Sequence, residues 1–467
     1  MCWYGTKVGV GLWEGPSHFP HYAVRHTKEN IRHLVQVGAD PPAVVAEECH
    51  RHGMRMVARL SPALALHREE EFREGGGVYY NRFTQSHPEM TIQRVDPALA
   101  GWGARPGQML DFTYPEVREQ LLKSIRELAE SYDVDGIDLF YRGGGPFFEA
   151  DEAVKKAPIM TDFIRRVRHA LDEAAQKRGR SHLLLCAGVP DSPEWALQVG
   201  LDVGAWIQEG LLDIVMPSRS HGLDFEAPVD KYAALCQGRQ CQVLPVLQPG
   251  IPPHSTPYPL AQLRAAADNF FRLGADGLAT FNFNHRYHGS LGNGSLVPLG
   301  EAISWLAELK QPQKVASGIR VYPCYRIHDY TRLERPRLSF AATEVGVRKI
   351  HSLPRIPALG VPGSQRRLRF KAQESAWDDV LEVDIDGKPL VLRQREFDMN
   401  SNVRAAISGK PHQPIELEKH VWPSYAFEFE VPALATYKEM GVRLVKRGNV
   451  RSEIKIQDVE IVIFRHS

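Results

Sequence analysis

Between about residue 25 and residue 310, apolar positions alternate between a helical rhythm and short continuous runs. Pro41 and Pro42, tolerated in a first turn, open a predicted helix through Val44, Val45, Glu48 and Cys49 that Gly53 closes. Residues 54–60 then read as a strand, and a polar excursion rich in Glu, Gly and aromatics follows up to about Gln108. Pro115 starts a helix with apolar spacing at Val117, Leu121, Ile125 and Leu128, which leads into a strand around Asp138. The unit recurs. Helical segments near 159–175, 193–198 and 261–273 alternate with strands at 183–189, 211–216, 242–248 and 277–283. Strands separated by helix-length segments imply right-handed crossovers and a parallel sheet. Their repetition predicts an α/β chain built as a (β/α)8 TIM-type barrel. The pattern yields six strands, so a further one is expected near residues 8–12 or in the excursion, or the barrel lacks its first strand.

After Pro312 helical spacing gives way to alternating runs, at 367–371, 381–385, 426–431, 442–446 and 454–464. Asp386 and Gly387 supply a hairpin-turn signal between two of them. This texture predicts an all-β sandwich. The expected organisation is a barrel over residues 1–312 and a β-sandwich domain over 313–467, which could bind glycan, pack on the barrel or build a dimer.

Composition narrows the partners. At 467 residues two domains are expected, and 43% hydrophobic with 24% charged residues is ordinary for a globular chain. A net charge of +1 without a basic block argues against nucleic acid. No apolar run is long enough to span a membrane, and the start lacks the features of a signal peptide. The chain as it stands is therefore expected in the cytoplasm; a longer natural N-terminus would allow secretion or a periplasmic location. The six cysteines include no Cys-x-x-Cys pair, so a zinc ribbon is not indicated.

The chemistry concentrates at the predicted strand ends. A barrel strand covered on both sides should be apolar, yet Asp138 sits one step before Leu139 and Phe140. Burying a carboxylate without a partner costs several kcal/mol, so it has either a structural partner or a task. The C-terminal ends of the strands contribute Arg59, then Tyr141, Arg142 and Glu149, then Asp191, then Arg219 and His221, then Gln248, and finally Asn282, Asn284, His285 and Tyr287. Hydrogen-bonding, aromatic and nearly charge-balanced, this set suits a sugar. Glycoside hydrolysis takes two carboxyl groups, with Asp138 first and Asp191 or Glu149 second. Asp111 is a further option, whereas Asp213 lies early in its strand and is assigned to the stability end of the barrel. Gly143, Gly144 and Gly145 lead into Pro146 and not a helix, which disfavours a nucleotide loop, and no cofactor is expected.

Three segments, residues 110–118, 132–139 and 206–217, together resemble the bacterial glycosyl-hydrolase-like barrel proteins, the family-10-like glycosidases. The resemblance spans roughly residues 5–310 and implies a (β/α)8 fold and a carbohydrate substrate. Such proteins tend to carry a second acid after the Leu that follows the first; here Phe140 follows Leu139 directly. A chitinase pattern fits less well, because Phe140 and Arg142 occupy its last two acidic places. The leading expectation is a glycoside hydrolase that needs no metal. The alternative is a catalytically inactive carbohydrate-binding barrel. A third, metal-assisted hydrolase or lyase would rest on His221, His285 and His288.

Overall fold

The computed structural model describes residues 4–9, 11, 22–62, 82–96, 105–141, 145–219, 223–248, 250–251, 256–283, 297–324, 326–327, 333–334, 338–398, 424–434, 436–448 and 453–465. They form two compact units. One comprises Met1–His221, Ala227–Val246 and Leu273–Thr280; the other comprises Gly222–Glu226, Leu247–Arg272 and Phe281–Ser467.

The first unit is organised by a parallel sheet of five strands in sequential order: β1 (Val57–Leu60), β2 (Gly136–Phe140), β3 (Leu184–Val189), β4 (Ile214–Pro217) and β5 (Gln242–Val243). Every residue of β2 is buried, as expected for a strand covered on both faces. Helices Pro115–Ser131 and Ala153–Lys177 follow β1 and β2, burying stripes that include Val117, Leu122, Ile125 and Leu128 on the first and Phe163, Ile164, Val167 and Leu171 on the second. Each fully buried Leu, Ile or Phe contributes about 1.5–3 kcal/mol. At the start of β2, Gly136 lies so near β3 that a Cβ would stand 2.4 Å from the Leu184 carbonyl oxygen.

A recurring device closes the N-terminal edge of this sheet. Asp135, Asp213 and Asp276 each accept a backbone N–H with one carboxylate oxygen: Met56 at 2.7 Å, Leu185 at 2.7 Å and Val243 at 2.8 Å. Two of them are also held by side chains. His50 and Arg180 bind Asp135, while His182 and Arg168 bind Asp213. Strand ends leave backbone donors over, and a fixed carboxylate satisfies one at each of these places. Asp213 thus stands on the edge that its early position in the strand predicts.

Among the described residues the parallel sheet is open and does not close into a barrel. Of the segment expected to hide a further strand, Val8 and Gly9 form a bend, while Val10 and Leu12 lie outside the described residues. The strand expected over 242–248 is two short strands, Gln242–Val243 and Val246–Leu247. Pro245 interrupts it, having no N–H to give the ladder.

The second unit joins helices Leu260–Arg272, Leu299–Leu309 and Pro312–Ser317 to antiparallel sheets. Strands Arg320–Pro323, Ile454–Arg465, Ser364–Gln373, Ser424–Glu430 and Val391–Phe397 lie side by side in that order, with Leu338–Phe340 also on Ile454–Arg465. A separate sheet runs Arg348–Ser352, Glu439–Lys446, Val380–Ile385 and Lys388–Pro389. Burial alternates along Ser364–Gln373, so one face is core. Asp386 and Gly387 form the turn between Val380–Ile385 and Lys388–Pro389, both at positive φ as a two-residue hairpin loop needs. Helix Leu260–Arg272 is tied to the first of these sheets by Asp268. One oxygen of this buried acid accepts from Arg320 Nη1 at 3.0 Å, the Tyr322 hydroxyl at 3.0 Å and Arg272 Nε at 3.1 Å.

Candidate active site

Parallel register sets Arg59, Asp138 and Cys186 side by side across β1, β2 and β3. Two positions further along, Phe140 faces Gly188. A Cβ on Gly188 would stand 2.0 Å from Phe140 Cδ2, so glycine makes the space that the ring fills. The Arg59 guanidinium carbon lies 4.4 Å from the centroid of that ring, and its Nε donates to Asp138 Oδ2 at 2.5 Å. Glycine, ring, guanidinium and carboxyl thus form one stack, with the ring on the C-terminal side of the acid.

Asp138 is 4% exposed. Arg59 engages Oδ2, whereas Oδ1 is buried with no hydrogen-bond partner among the described residues. Burial pushes its pKa above the usual carboxylate range. The Arg59 charge and hydrogen bond oppose the shift, as does the Gly188 N–H, without overcoming it. Beside it, the Cys186 thiol is pushed up to about 12, by burial first and then by Asp138, which makes it an inert neighbour.

A second carboxylate–arginine pair stands at the ends of β3 and β4. Asp191, 2% exposed, accepts from Arg219 Nε. The Arg219 guanidinium carbon lies 5.4 Å from the centroid of the Trp195 ring. Local sequence builds this corner. Ser192 caps helix Pro193–Gln198 by accepting the Trp195 N–H at 3.2 Å, which places the indole in the first turn. Tyr232 donates to the Pro190 carbonyl at 2.8 Å, which anchors the loop just before Asp191.

The remaining sequence candidates have varied positions. Glu149 accepts the backbone N–H groups of Gln93 at 3.0 Å and Arg94 at 2.7 Å, a brace across two loop segments. Asp111 accepts the Thr113 N–H at 2.8 Å. Tyr141, expected against substrate, is fully buried: its hydroxyl meets Met160 Sδ at 3.7 Å and its ring packs on Phe147 and Trp206. One residue past β2 its side chain goes to the helix side of the sheet, so it supports the strand end from within the core. Phe148 is likewise fully buried. Gln248, buried, and Asn282, at φ 54°, belong to the second unit. Arg142, His221, Asn284, His285 and Tyr287 lie outside the described residues, as does His288. Among the described residues no cluster of three or more metal-ligating side chains occurs, and no helix is long and apolar enough to cross a membrane.

Sequence reasoning missed Trp195, Phe140 and Gly188 as site-building residues. For Trp195 a signal existed: Ser192 and Pro193, directly after Asp191, mark a helix start, and the first turn of that helix faces the strand end.

No family model matches the chain, and no curated protein matches it. Among solved structures it is similar to the PgaB (BpsB) glycoside hydrolase domain from Bordetella bronchiseptica, at 14% identity and a TM-score of 0.35 over 53% of this chain and 76% of that one. It is similar to the glycoside hydrolase domain of PelA from Pseudomonas aeruginosa, at 15% identity and a TM-score of 0.30 over 52% of this chain and 84% of that one. A third likeness is to the maltogenic alpha-amylase AmyB from Thermotoga neapolitana, at 11% identity and a TM-score of 0.33 over 84% of this chain and 79% of that one. Scores this low leave the chemistry to be argued from the chain's own residues.

Proposed function

We propose that the protein is a glycoside hydrolase whose parallel sheet belongs to a (β/α)8 barrel over residues 1–312, followed by a β-sandwich domain over 313–467. Asp138 is the general acid. The observation that carries this reading is its half-satisfied, buried carboxyl: Oδ1 has no hydrogen-bond partner among the described residues, and burial favours the protonated form. A glycosidic oxygen must receive a proton as it leaves, and burial moves the Asp138 carboxyl in the direction that retains one. Asp191, ion-paired with Arg219, is the anionic partner, and Trp195 offers a ring beside it. Glu149 is the third choice, since its oxygens already hold backbone amides. Arg59, Arg142, Arg219 and His221, all of the first unit, are proposed to contact sugar hydroxyls or a carboxylate on the sugar. The family-10-like sequence resemblance supports the same class.

One observation favours a second reading, an inactive carbohydrate-binding barrel. Asp138 pairs with Cys186 on β3, and Asp191 lies five residues beyond that position. At about 3.3 Å per residue along an extended strand, that spacing exceeds the 6.5–9.5 Å of an inverting pair unless the turn after Val189 brings Asp191 back.

Reducing-sugar release from a broad panel of glycans and aryl glycosides separates the readings. Wild type should release sugar, and Asp138→Asn should lower the rate by about 10²–10⁴-fold while the protein stays folded. Equal rates in both would remove Asp138 from the acid role. A folded wild type that releases nothing but binds glycans on an array would favour the binding reading.

A further inference from the structure

The antiparallel unit presents two aromatic rings to solvent on one buried support. Trp377 is 65% exposed and Phe397 is 49% exposed. Trp377 lies in the turn between strands Ser364–Gln373 and Val380–Ile385, and Phe397 is the last residue of Val391–Phe397. Both pack on the buried ring of Tyr425, at centroid separations of 5.7 Å and 5.6 Å. Register accounts for the second contact, because Phe397 stands opposite Tyr425 across the strand pair.

The turn that carries Trp377 is held from within. Ser375, Ala376 and Asp379 are buried, while Trp377 and Asp378 between them are exposed. Asp379 accepts the Ala376 and Gly448 N–H groups, each at 2.6 Å, and the Ser375 hydroxyl donates to the Ala372 carbonyl at 3.0 Å. From strand Val391–Phe397, Arg395 donates Nη1 to the Asp379 carbonyl at 3.0 Å and Nη2 to the Ala376 carbonyl. Its guanidinium carbon lies 5.1 Å from the Trp377 ring centroid and 4.8 Å from that of Tyr425. A cation against the indole steadies the ring, which still keeps most of its surface in solvent. Apolar side chains exposed singly are ordinary; two rings on a shared buried support, one of them seated on a cation, make a surface.

We propose that Trp377 and Phe397 form a platform that binds a polysaccharide chain by the C–H faces of its sugar rings, in a different unit from Asp138. The choice of a sugar rests on the glycoside hydrolase reading. The electron-rich face of an aromatic ring attracts the polarised C–H bonds on one side of a pyranose. Hydroxyls at the sugar's rim need hydrogen-bonding groups. Exposed Asp378, next to Trp377 in the chain, supplies a carboxylate, and Lys446 lies 3.3 Å from it. A protein partner fits less well. Rings of about 150–250 Å2 each, only partly exposed, fall short of the roughly 800 Å2 that each partner buries in a stable complex. A polysaccharide needs far less contact, and because both rings touch Tyr425, one short stretch of sugars spans them.

Affinity electrophoresis of the full chain tests this, in native gels cast with xylan, hydroxyethyl cellulose, glycol chitin or laminarin. Asp138→Asn serves as the parent, so that slowed hydrolysis leaves the polymer intact. At least one polymer should retard the parent. Trp377→Ala should weaken that binding at least about tenfold and Phe397→Ala by a smaller factor, whereas Trp377→Phe should keep most of it. With Asp138 restored, Trp377→Ala should hydrolyse small aryl glycosides at the wild-type rate. Retardation by no polymer, or equal retardation of the parent and Trp377→Ala, would overturn the proposal. So would a concentration-dependent dimer in sedimentation that Trp377→Ala abolishes. Wild type that turns over no aryl glycoside, while the parent is retarded through Trp377, would sink the hydrolase reading and leave the platform standing. Should Trp377→Ala not fold, Phe397→Ala decides, and undiminished retardation would overturn the proposal.

Discussion

Two acids three residues apart stand in opposite circumstances, Asp135 part-buried just before β2 and Asp138 buried at its centre. On the N-terminal edge, Asp135 has every reason to be ionised. Burial alone would raise its pKa, but the His50 hydrogen bond, the Met56 N–H and Arg180 together bring it below the usual range. Three residues along the chain, Asp138 has the Arg59 guanidinium and the Gly188 N–H to favour its charge, an Oδ1 without a hydrogen-bond partner among the described residues, and burial wins. A saturated acid therefore stands at the entrance of this strand and an undersupplied one at its centre. The antiparallel unit repeats the saturated case. Its buried Asp379 accepts the Ala376 N–H at 2.6 Å and the Gly448 N–H at 2.6 Å, together with Arg447 Nη1. A carboxylate serving only structure is given its full set of donors; withholding them costs stability and leaves a group able to take or release a proton.

The sharpest way to break this contrast is a pair of substitutions in that strand. Asp138→Asn should cost about 10²–10⁴-fold in activity and leave the fold intact, whereas Asp135→Asn should change activity by only a few-fold. In denaturant unfolding the order should reverse. Asp135→Ala strips a backbone donor, a histidine and an arginine of their partner, and should lower stability by about 1–3 kcal/mol. Loss of activity in both or neither would erase the distinction between the two acids.

Gly188→Ala probes the stack that holds Arg59 against Asp138. The added methyl would collide with the Phe140 ring on which Arg59 lies. Overpacking of this kind costs about 1–3 kcal/mol, and kinetics should show an activity loss beyond that of a remote substitution of equal cost.

The pH dependence carries a smaller effect with a fixed sign. A carboxyl whose folded pKa exceeds its unfolded value contributes stability below the unfolded pKa, about 3.9 for Asp, and loses it as pH rises through the folded value. The stability of wild type minus that of Asp138→Asn should therefore fall as pH rises across this window, measured by unfolding at a series of pH values. An increase would mean that Arg59 and not burial controls the acid. The smallest effect is expected at Trp195→Leu, which removes the ring beneath Arg219 and should weaken that corner by about 0.5–1 kcal/mol.

How much of this was legible in the sequence follows from the range of each interaction. Asp138 stood out because an acid inside an apolar run is a local anomaly, and Arg59 and Asp191 followed from their strand-end positions. Pairing was not legible: Arg59 with Asp138, and Arg219 with Asp191, depend on strand register and loop closure. Asp135 and Asp276 precede glycines and read as turn residues, so their shared role of holding the neighbouring strand's N–H was hidden until the strands were side by side. Helix Val229–Cys236, eight residues long, is too short to give a clear period. Helix Leu260–Arg272 follows the barrel rhythm in sequence, yet Asp268 binds it to Arg320 and Tyr322 of the antiparallel unit, a contact across more than fifty positions. The hairpin at Asp386 and Gly387 was legible because its cause is confined to two residues.

The most direct measurement of the central claim is the titration of Asp138 itself, by carbon-13 NMR of labelled aspartate carboxyls assigned by their loss in Asp138→Asn. The account predicts a carboxyl that stays protonated above the usual aspartate range in the native protein. A titration at or below the ordinary value of about 3.9 would contradict it and make Asp138 a structural partner of Arg59.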